Sequence, residues 1–365
     1  MDLGMFMMPL HPPGRALAET LREDREAVLL ADRLGYTEAF VGEHLTDAAE
    51  TISSSVAFLC SLAYETRRIR LGTGTVNLPN QHPAAVAAQV AMLDHMLGGR
   101  FIFGISPGAL MSDAEVCGNL DNDRNEMFVE SINMILDIWK GRPPYNLAGK
   151  YWTVSTAKTQ IPEIGQGIIA RPLQQPHPPI VGTAVAPFSA GVREMAKRGW
   201  SPMSANFLLP KWVASHWQKY VEGCEAVGLR PSAARWRVAK SIFVADDAAT
   251  AQRYGKSESG PYGFYFRQLM RKLVTAGGRS NLFKPNADMP DSDVTLAYAL
   301  DKLVIAGTVE QVVEQLLEFR RQVGDFGTLV YACHDWQEPE LGKRSMELMA
   351  REVMPRLNAA IARTV

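Results

Sequence analysis

The chain has 365 residues, enough for one large α/β domain or two ordinary ones. With 47% hydrophobic and 21% charged residues it reads as a globular protein with ample core material, and a formal net charge of −1 gives no electrostatic reason to expect nucleic acid or an anionic membrane as partner. No apolar run reaches the length of a membrane span, MDLGMFMMPLHPPG lacks the marks of a signal peptide, and Cys60, Cys117, Cys224 and Cys333 lie far apart, so a cytoplasmic protein with reduced thiols is expected.

In chain order, DLGMFMM reads as a strand and ALAETLREDREAVLLADRLG as an amphipathic helix closing on Gly35. TEAFVG is a second strand, with a helix from about 53 to 66. IRLGTGTV is a third, followed by a helix across AAVAAQVAMLDHML. RFIFGIS is a fourth, and its helix covers about 125 to 140. Residues 141 to 178 break the rhythm: they are rich in Pro and Gly, and RPLQQPHPP forces extended backbone. The alternation resumes with PIVGTA, a helix to Gly199, SPMSAN, another helix, and WRVAKSIFVAD. Helices and loops are expected over about 247 to 305, then helix TVEQVVEQLLEFRRQV, strand GTLVYAC, and a closing helix over about 340 to 360.

Eight strand–helix units favour a closed (β/α)8 TIM barrel over an open doubly wound sheet. Active sites of such barrels lie at the C-terminal ends of the strands. Glu43 and His44, Gly72 to Thr75, Ser106 to Gly108, Gly182 to Ala184, Ser204 to Asn206, and His334 with Asp335 all fall there. An imidazole, near pKa 6.5 when unperturbed, could exchange protons at such a mouth; a helix-capping Glu43 beside a loop histidine is the plainer alternative. Gly72 and Gly74 in one strand suit either a structural bulge or the approach of a flat ligand. The helix start at Ser189, Ala190 and Gly191 offers free N–H groups to a phosphate, although any helix needs a cap. Phe6, Met7 and Met8 end strand 1, where they could hold an organic substrate or simply fill the core.

Seven histidines without an H-x-H pair make a metal site unexpected. The chain also lacks the G-x-S-x-G elbow, G-x-G-x-x-G and the P-loop, so hydrolase, Rossmann and NTPase readings fail.

GEH after strand 2, GTGTVNLPNQHPAAVAAQVAMLDHMLGGRFIFGISPG across units 3 and 4, RPLQQPHPPIV before strand 5 and AGTVEQVVEQLLEF before strand 8 resemble the bacterial luciferase-like flavin monooxygenase family, nearly end to end. SPMS, NLFKPN and ACHDW are similar to its limonene and diketocamphane monooxygenase branch. The resemblance implies a single luciferase-like barrel over residues 1 to 365, with an insertion at about 141 to 178 and a lid at about 275 to 291. It further implies a homodimer that takes reduced FMN from a separate flavin reductase, with FAD as the alternative. Dioxygen would add to the flavin as a 4a-peroxide and oxygenate a small, largely apolar organic substrate.

His44 matches the family's catalytic histidine and Glu43 the flavin-contacting carboxylate. Gly74–Thr75 matches a non-prolyl cis peptide under the flavin ring, with Gly72, Thr73, Ser106 and Gly108 around it. Ser189, Ala190 and Gly191 match the phosphate-binding helix start approximately. Phe6, Met8 and Asn206 are the expected substrate contacts. Pro107 stands where the family places a phosphate-binding arginine, so the phosphate needs other donors. A deazaflavin-dependent oxidoreductase and a non-catalytic flavin-binding protein on the same fold are the rival readings.

Overall fold

The computed structural model of the protein describes residues 1–275 and 277–363. Eight parallel strands form the barrel: β1 (Asp2–Met7), β2 (Glu38–Val41), β3 (Arg70–Thr73), β4 (Phe101–Ser106), β5 (Ile180–Ala184), β6 (Ser201–Ser204), β7 (Arg237–Val244) and β8 (Thr328–Ala332). They pair in the order β8-β1-β2-β3-β4-β5-β6-β7, and β7 pairs back to β8, so the sheet closes on itself. The register aligns Asp2 of β1 and Arg237 of β7 with the same residue of β8, Thr328. β2, β6 and β8 are buried at every position, the mark of parallel strands covered on both faces.

The local rules that read the first helix from sequence hold. Leu17–Leu34 ends on Gly35, whose φ of 85° is a left-handed conformation that costs glycine nothing. Elsewhere the elements differ from expectation. The helix expected over about 53 to 66 is only Ser55–Cys60, opened by Ser54 Oγ accepting the Ala57 N–H and followed by turns. An extra strand, Val304–Gly307, begins at the end of the stretch read as helix and loop and pairs with Ser241–Val244 of β7. Its four residues, VIAG, are too short an apolar run to be told from a helix end. A short helix, Met111–Val116, was also not anticipated. Within 141 to 178, Asn146–Ala148 and Thr153–Ser155 form an antiparallel hairpin. Among the described residues no helix is long and apolar enough to cross a membrane.

The chain groups into two compact units. One comprises Met1–Ala39, Ala49–Thr51 and the chain from Gly182 onward; the other comprises Phe40–Ala48 and Ile52–Val181. The first unit carries two buried ionic clusters. Arg237 of β7 makes a bidentate pair with Glu38 of β2, at 2.6 and 2.8 Å. His11, in the segment after β1, is 2% exposed and lies between Asp335, at 2.6 Å from Nδ1, and Asp24, at 3.2 Å from Nε2. Arg15 bridges Asp335 and Glu23 in the same cluster.

Burial alone would lower the pKa of His11, but hydrogen bonds to Asp24 and Asp335 overcome it and hold it at about 9. The unfolded chain loses this proton near pH 6.5 and the folded one near 9. Stability from this site is therefore complete below pH 6.5 and is lost as pH rises to 9, at up to about 1.4 kcal/mol per unit. Urea unfolding from pH 6 to 9.5 should show that decline in the wild type and a flatter profile in His11→Asn. Parallel profiles would contradict it.

Candidate active site

The second unit holds the residues that end β2, β3 and β4. The chain leaves β2 at Val41, and the His44 N–H donates to the Ile52 carbonyl at 3.0 Å, which fixes the loop carrying Glu43 and His44. The Glu43 carboxylate is buried and accepts from Ser55 N–H at 2.9 Å and Ser55 Oγ at 2.6 Å. It also accepts from Asn77 N–H at 3.3 Å and Gln81 Nε2 at 3.4 Å. Burial pushes its pKa up against the pull of the Ser55 and Asn77 donors. With both oxygens engaged, Glu43 ties the first turn of a helix to the end of β3. Its geometry is that of a positioning group.

His44 meets a residue that sequence reasoning did not single out. Its Nδ1 lies 2.8 Å from Asp113 Oδ2, and the two side chains are 16% and 3% exposed. The other Asp113 oxygen accepts from Leu45 N–H at 3.1 Å, Thr46 N–H at 3.0 Å and Thr46 Oγ1 at 2.6 Å. Burial by itself would raise the Asp113 pKa, but hydrogen bonds from His44 and Thr46 outweigh it and hold the acid below its usual range. A carboxylate on one ring nitrogen fixes the orientation of an imidazole and stabilises its protonated form. The pairing joins residues 69 apart, through a short helix that local pattern does not announce.

In the same unit, the bend expected at the end of β3 is present. The Gly74–Thr75 peptide is cis. Thr75 Oγ1 donates to Ser106 Oγ at 2.7 Å, Ser106 Oγ donates to Asn77 Oδ1 at 2.8 Å, and the Gly108 N–H donates to Ser106 Oγ at 3.1 Å. Gly108 has φ 77°, which an L side chain rarely adopts. Two of the expected residues also have structural partners. A Cβ on Gly72 would lie 2.6 Å from the Phe40 ring, and Thr73 Oγ1 donates to Gly104 O at 2.7 Å while accepting the Gly104 N–H at 2.9 Å. Arg124, half-buried at the start of helix Arg124–Lys140, reaches the Gly108 carbonyl at 3.3 Å and Met111 Sδ at 3.3 Å.

The remaining candidates lie in the first unit. Met7 is core at 1% exposure, whereas Phe6 and Met8 are half-buried. Helix Ala190–Lys197 starts where the sequence placed it, with Ser189 at the cap position but no hydrogen bond from its side chain. Asn206 is buried and donates to Ser241 Oγ at 2.9 Å and to Tyr265 OH at 3.1 Å. His11, Glu23 and Asp335 place ligand-type atoms within 4.8 Å of one another, but the Arg15 guanidinium already pairs with both carboxylates.

Residues 1–325 match the family model for luciferase-like monooxygenase. The chain belongs to the luciferase-like monooxygenases. It is 32% identical to 4-hydroxyprotoasukamycin monooxygenase of Streptomyces nodosus subsp. asukaensis, over 99% of this chain and 93% of that one. It is 27% identical to limonene 1,2-monooxygenase of Rhodococcus erythropolis, over 98% and 87%. Among solved structures it is similar to the oxygenating constituent of 3,6-diketocamphane monooxygenase from the CAM plasmid of Pseudomonas putida, a type II Baeyer–Villiger monooxygenase in complex with FMN. That likeness has a TM-score of 0.87 and 27% identity, and covers 98% of each chain. The chain is thus an enzyme of a flavin-dependent monooxygenase family, with the family's closed barrel.

Proposed function

We propose that this luciferase-like monooxygenase is the oxygenase of a two-component system. It takes reduced FMN from a separate reductase, with FAD the weaker cofactor, and uses dioxygen to oxygenate a small, largely apolar organic substrate. The observation that carries this reading is the His44–Asp113 pair, in the same compact unit as the cis Gly74–Thr75 peptide. The solved relative, an oxygenating constituent bound to FMN, supports the choice of cofactor and a partner that supplies electrons.

The residues present fit a flavin. The segment Gly74–Thr75 with Ser106 and Gly108 offers a backbone edge and hydroxyls to a flat polar ring. Arg124 is a half-buried cation that meets a carbonyl and a thioether, so an anionic group would complete it. It stands in for the arginine that Pro107 displaces. Ser189 to Gly191 offer N–H groups at a second helix start. The reduced flavin, when bound, supplies the electrons that activate dioxygen. His44 holds or moves a proton at Nε2 while Asp113 orients the ring through Nδ1, and Glu43 fixes the loop that carries them.

Segment 275 to 291 is read as a lid that excludes water from the reaction. Ala276 lies outside the described residues; of the rest, Leu282 and Phe283 are buried and Trp212 Nε1 donates to the Lys284 carbonyl at 2.9 Å. Replacing Phe283 and Trp212 by alanine should raise hydrogen peroxide release per dioxygen consumed; unchanged release would remove the lid from the account. The active form is taken to be a cytoplasmic homodimer, which light scattering and cell fractionation test.

Arg124→Ala tests the cofactor assignment. A charge-assisted hydrogen bond contributes about 1.5–3 kcal/mol, so FMN affinity should fall roughly 10- to 100-fold. Riboflavin, which lacks the phosphate, should bind the variant and the wild type alike. Equal losses for both ligands, or none for FMN, would show that Arg124 does not hold the phosphate.

A further inference from the structure

Within the first unit, Asn206 and His334 follow β6 and β8, Ser241 lies within β7, and the three form a buried polar chain. Their exposures are 3%, 0% and 6%. Asn206 Nδ2 donates to Ser241 Oγ at 2.9 Å, and Ser241 Oγ lies 3.0 Å from His334 Nε2. The serine oxygen accepts from Asn206 and can give its own proton to Nε2. In that tautomer the ring proton of His334 is on Nδ1.

This Nδ1 is enclosed and has no hydrogen-bond partner. An unmade hydrogen bond at a buried donor costs free energy that native structures rarely leave uncollected, so the position calls for an acceptor. Burial pushes the His334 pKa down to about 3, so the ring is neutral across the physiological range. No charge in the chain of three could offset an anion, so an uncharged acceptor suits the position.

Two tyrosine rings cover His334, each held by its hydroxyl: Tyr262 OH donates to the Ile242 carbonyl and Tyr265 OH to Asn206 Oδ1. Tyr262 and Tyr265 lie with ring centroids 4.1 and 4.5 Å from its imidazole, one helical turn apart on Pro261–Met270. That helix is bracketed by π-helical segments, Gln252–Lys256 and Arg271–Thr275. Such segments are rare and recur at functional sites.

We propose that His334 Nδ1–H is a specificity-determining donor to a carbonyl oxygen of the organic substrate, reached when helix Pro261–Met270 shifts its two tyrosine rings aside. The proposal rests on the monooxygenase reading and narrows it to carbonyl-bearing substrates. Tyr262 and Tyr265 then pack the apolar body of the ligand, while Asn206 and Ser241 act through His334 by fixing its tautomer.

The test uses flavin-free, full-length protein labelled with 15N-histidine, and two probes of the same shape, cyclohexanone and methylenecyclohexane. The His334 Nδ1 resonance should start as a protonated, neutral-imidazole nitrogen and move on titration with cyclohexanone but not with methylenecyclohexane. His334→Phe should weaken cyclohexanone binding about tenfold and leave methylenecyclohexane unchanged, as expected for one neutral hydrogen bond. His334→Gln, which keeps a neutral donor, should recover part of the loss. An Nδ1 resonance unmoved at saturating cyclohexanone, or moved equally by both probes, overturns the assignment, and this holds even where the phenylalanine variant fails to fold. The measurement needs neither flavin nor dioxygen, so its outcome stands apart from whether the chain oxygenates anything.

Discussion

His44→Ala should lower product formation by about 10²–10⁴-fold, the range typical of a lost general acid–base group. The fold should survive, because Asp113 keeps its donors from Leu45 and Thr46 and the stability cost should stay near about 1 kcal/mol. Reduced FMN should still bind, and dioxygen consumption should continue with hydrogen peroxide as the main outlet. Asp113→Asn should lie between wild type and His44→Ala, since the ring keeps a neighbour but loses the charge that stabilises its protonated form. Steady-state product yield and peroxide release at saturating reduced FMN decide it. Wild-type yield and rate in His44→Ala would remove this histidine from the chemistry.

Arg237→Met should produce the largest loss of stability, about 3–5 kcal/mol, by leaving the Glu38 carboxylate buried without its partner. The guanidinium holds both carboxylate oxygens, and the two side chains are 11% and 5% exposed, so water cannot replace it. The double variant Glu38→Leu with Arg237→Met should recover most of that loss, because an apolar pair of similar volume carries no desolvation penalty. Denaturant unfolding of the three proteins at pH 7 gives the cycle. A single variant within about 1 kcal/mol of wild type would mean the pair is solvated in the native state.

The barrel was legible because its grammar is local. Alternating strand and helix patterns, Gly35 at a helix end and Pro-rich punctuation each act over a few residues, and their sum predicts a (β/α)8 ring. The misses are short elements. Val304–Gly307 and Met111–Val116 are only four and six residues long, below the length at which periodicity decides between helix and strand.

The site divides in the same way. Glu43, His44, Thr75 and Ser106 could be named because strand ends are positions that sequence pattern locates. Their partners could not. Asp113 reaches His44 across 69 residues, and Ser55 and Asn77 reach Glu43 across 12 and 34, separations at which no spacing rule operates. Sequence marked Glu43 as a candidate for chemistry, and its hydrogen bonds show in addition that its carboxylate holds loops together. Arg124 was invisible for a related reason: a cation at the start of a helix is unremarkable until its guanidinium is seen to meet a carbonyl and a sulfur.

The central claim is that this chain binds reduced FMN and couples its oxidation to a substrate. The most direct test mixes the anaerobic complex of protein and reduced FMN with dioxygenated buffer, and measures flavin oxidation and hydrogen peroxide together. Flavin oxidation should be slower than for free reduced FMN, with less than one peroxide per dioxygen once a carbonyl-bearing substrate is present. Oxidation at the rate of free flavin with one peroxide per dioxygen, across a panel of such substrates, would contradict it.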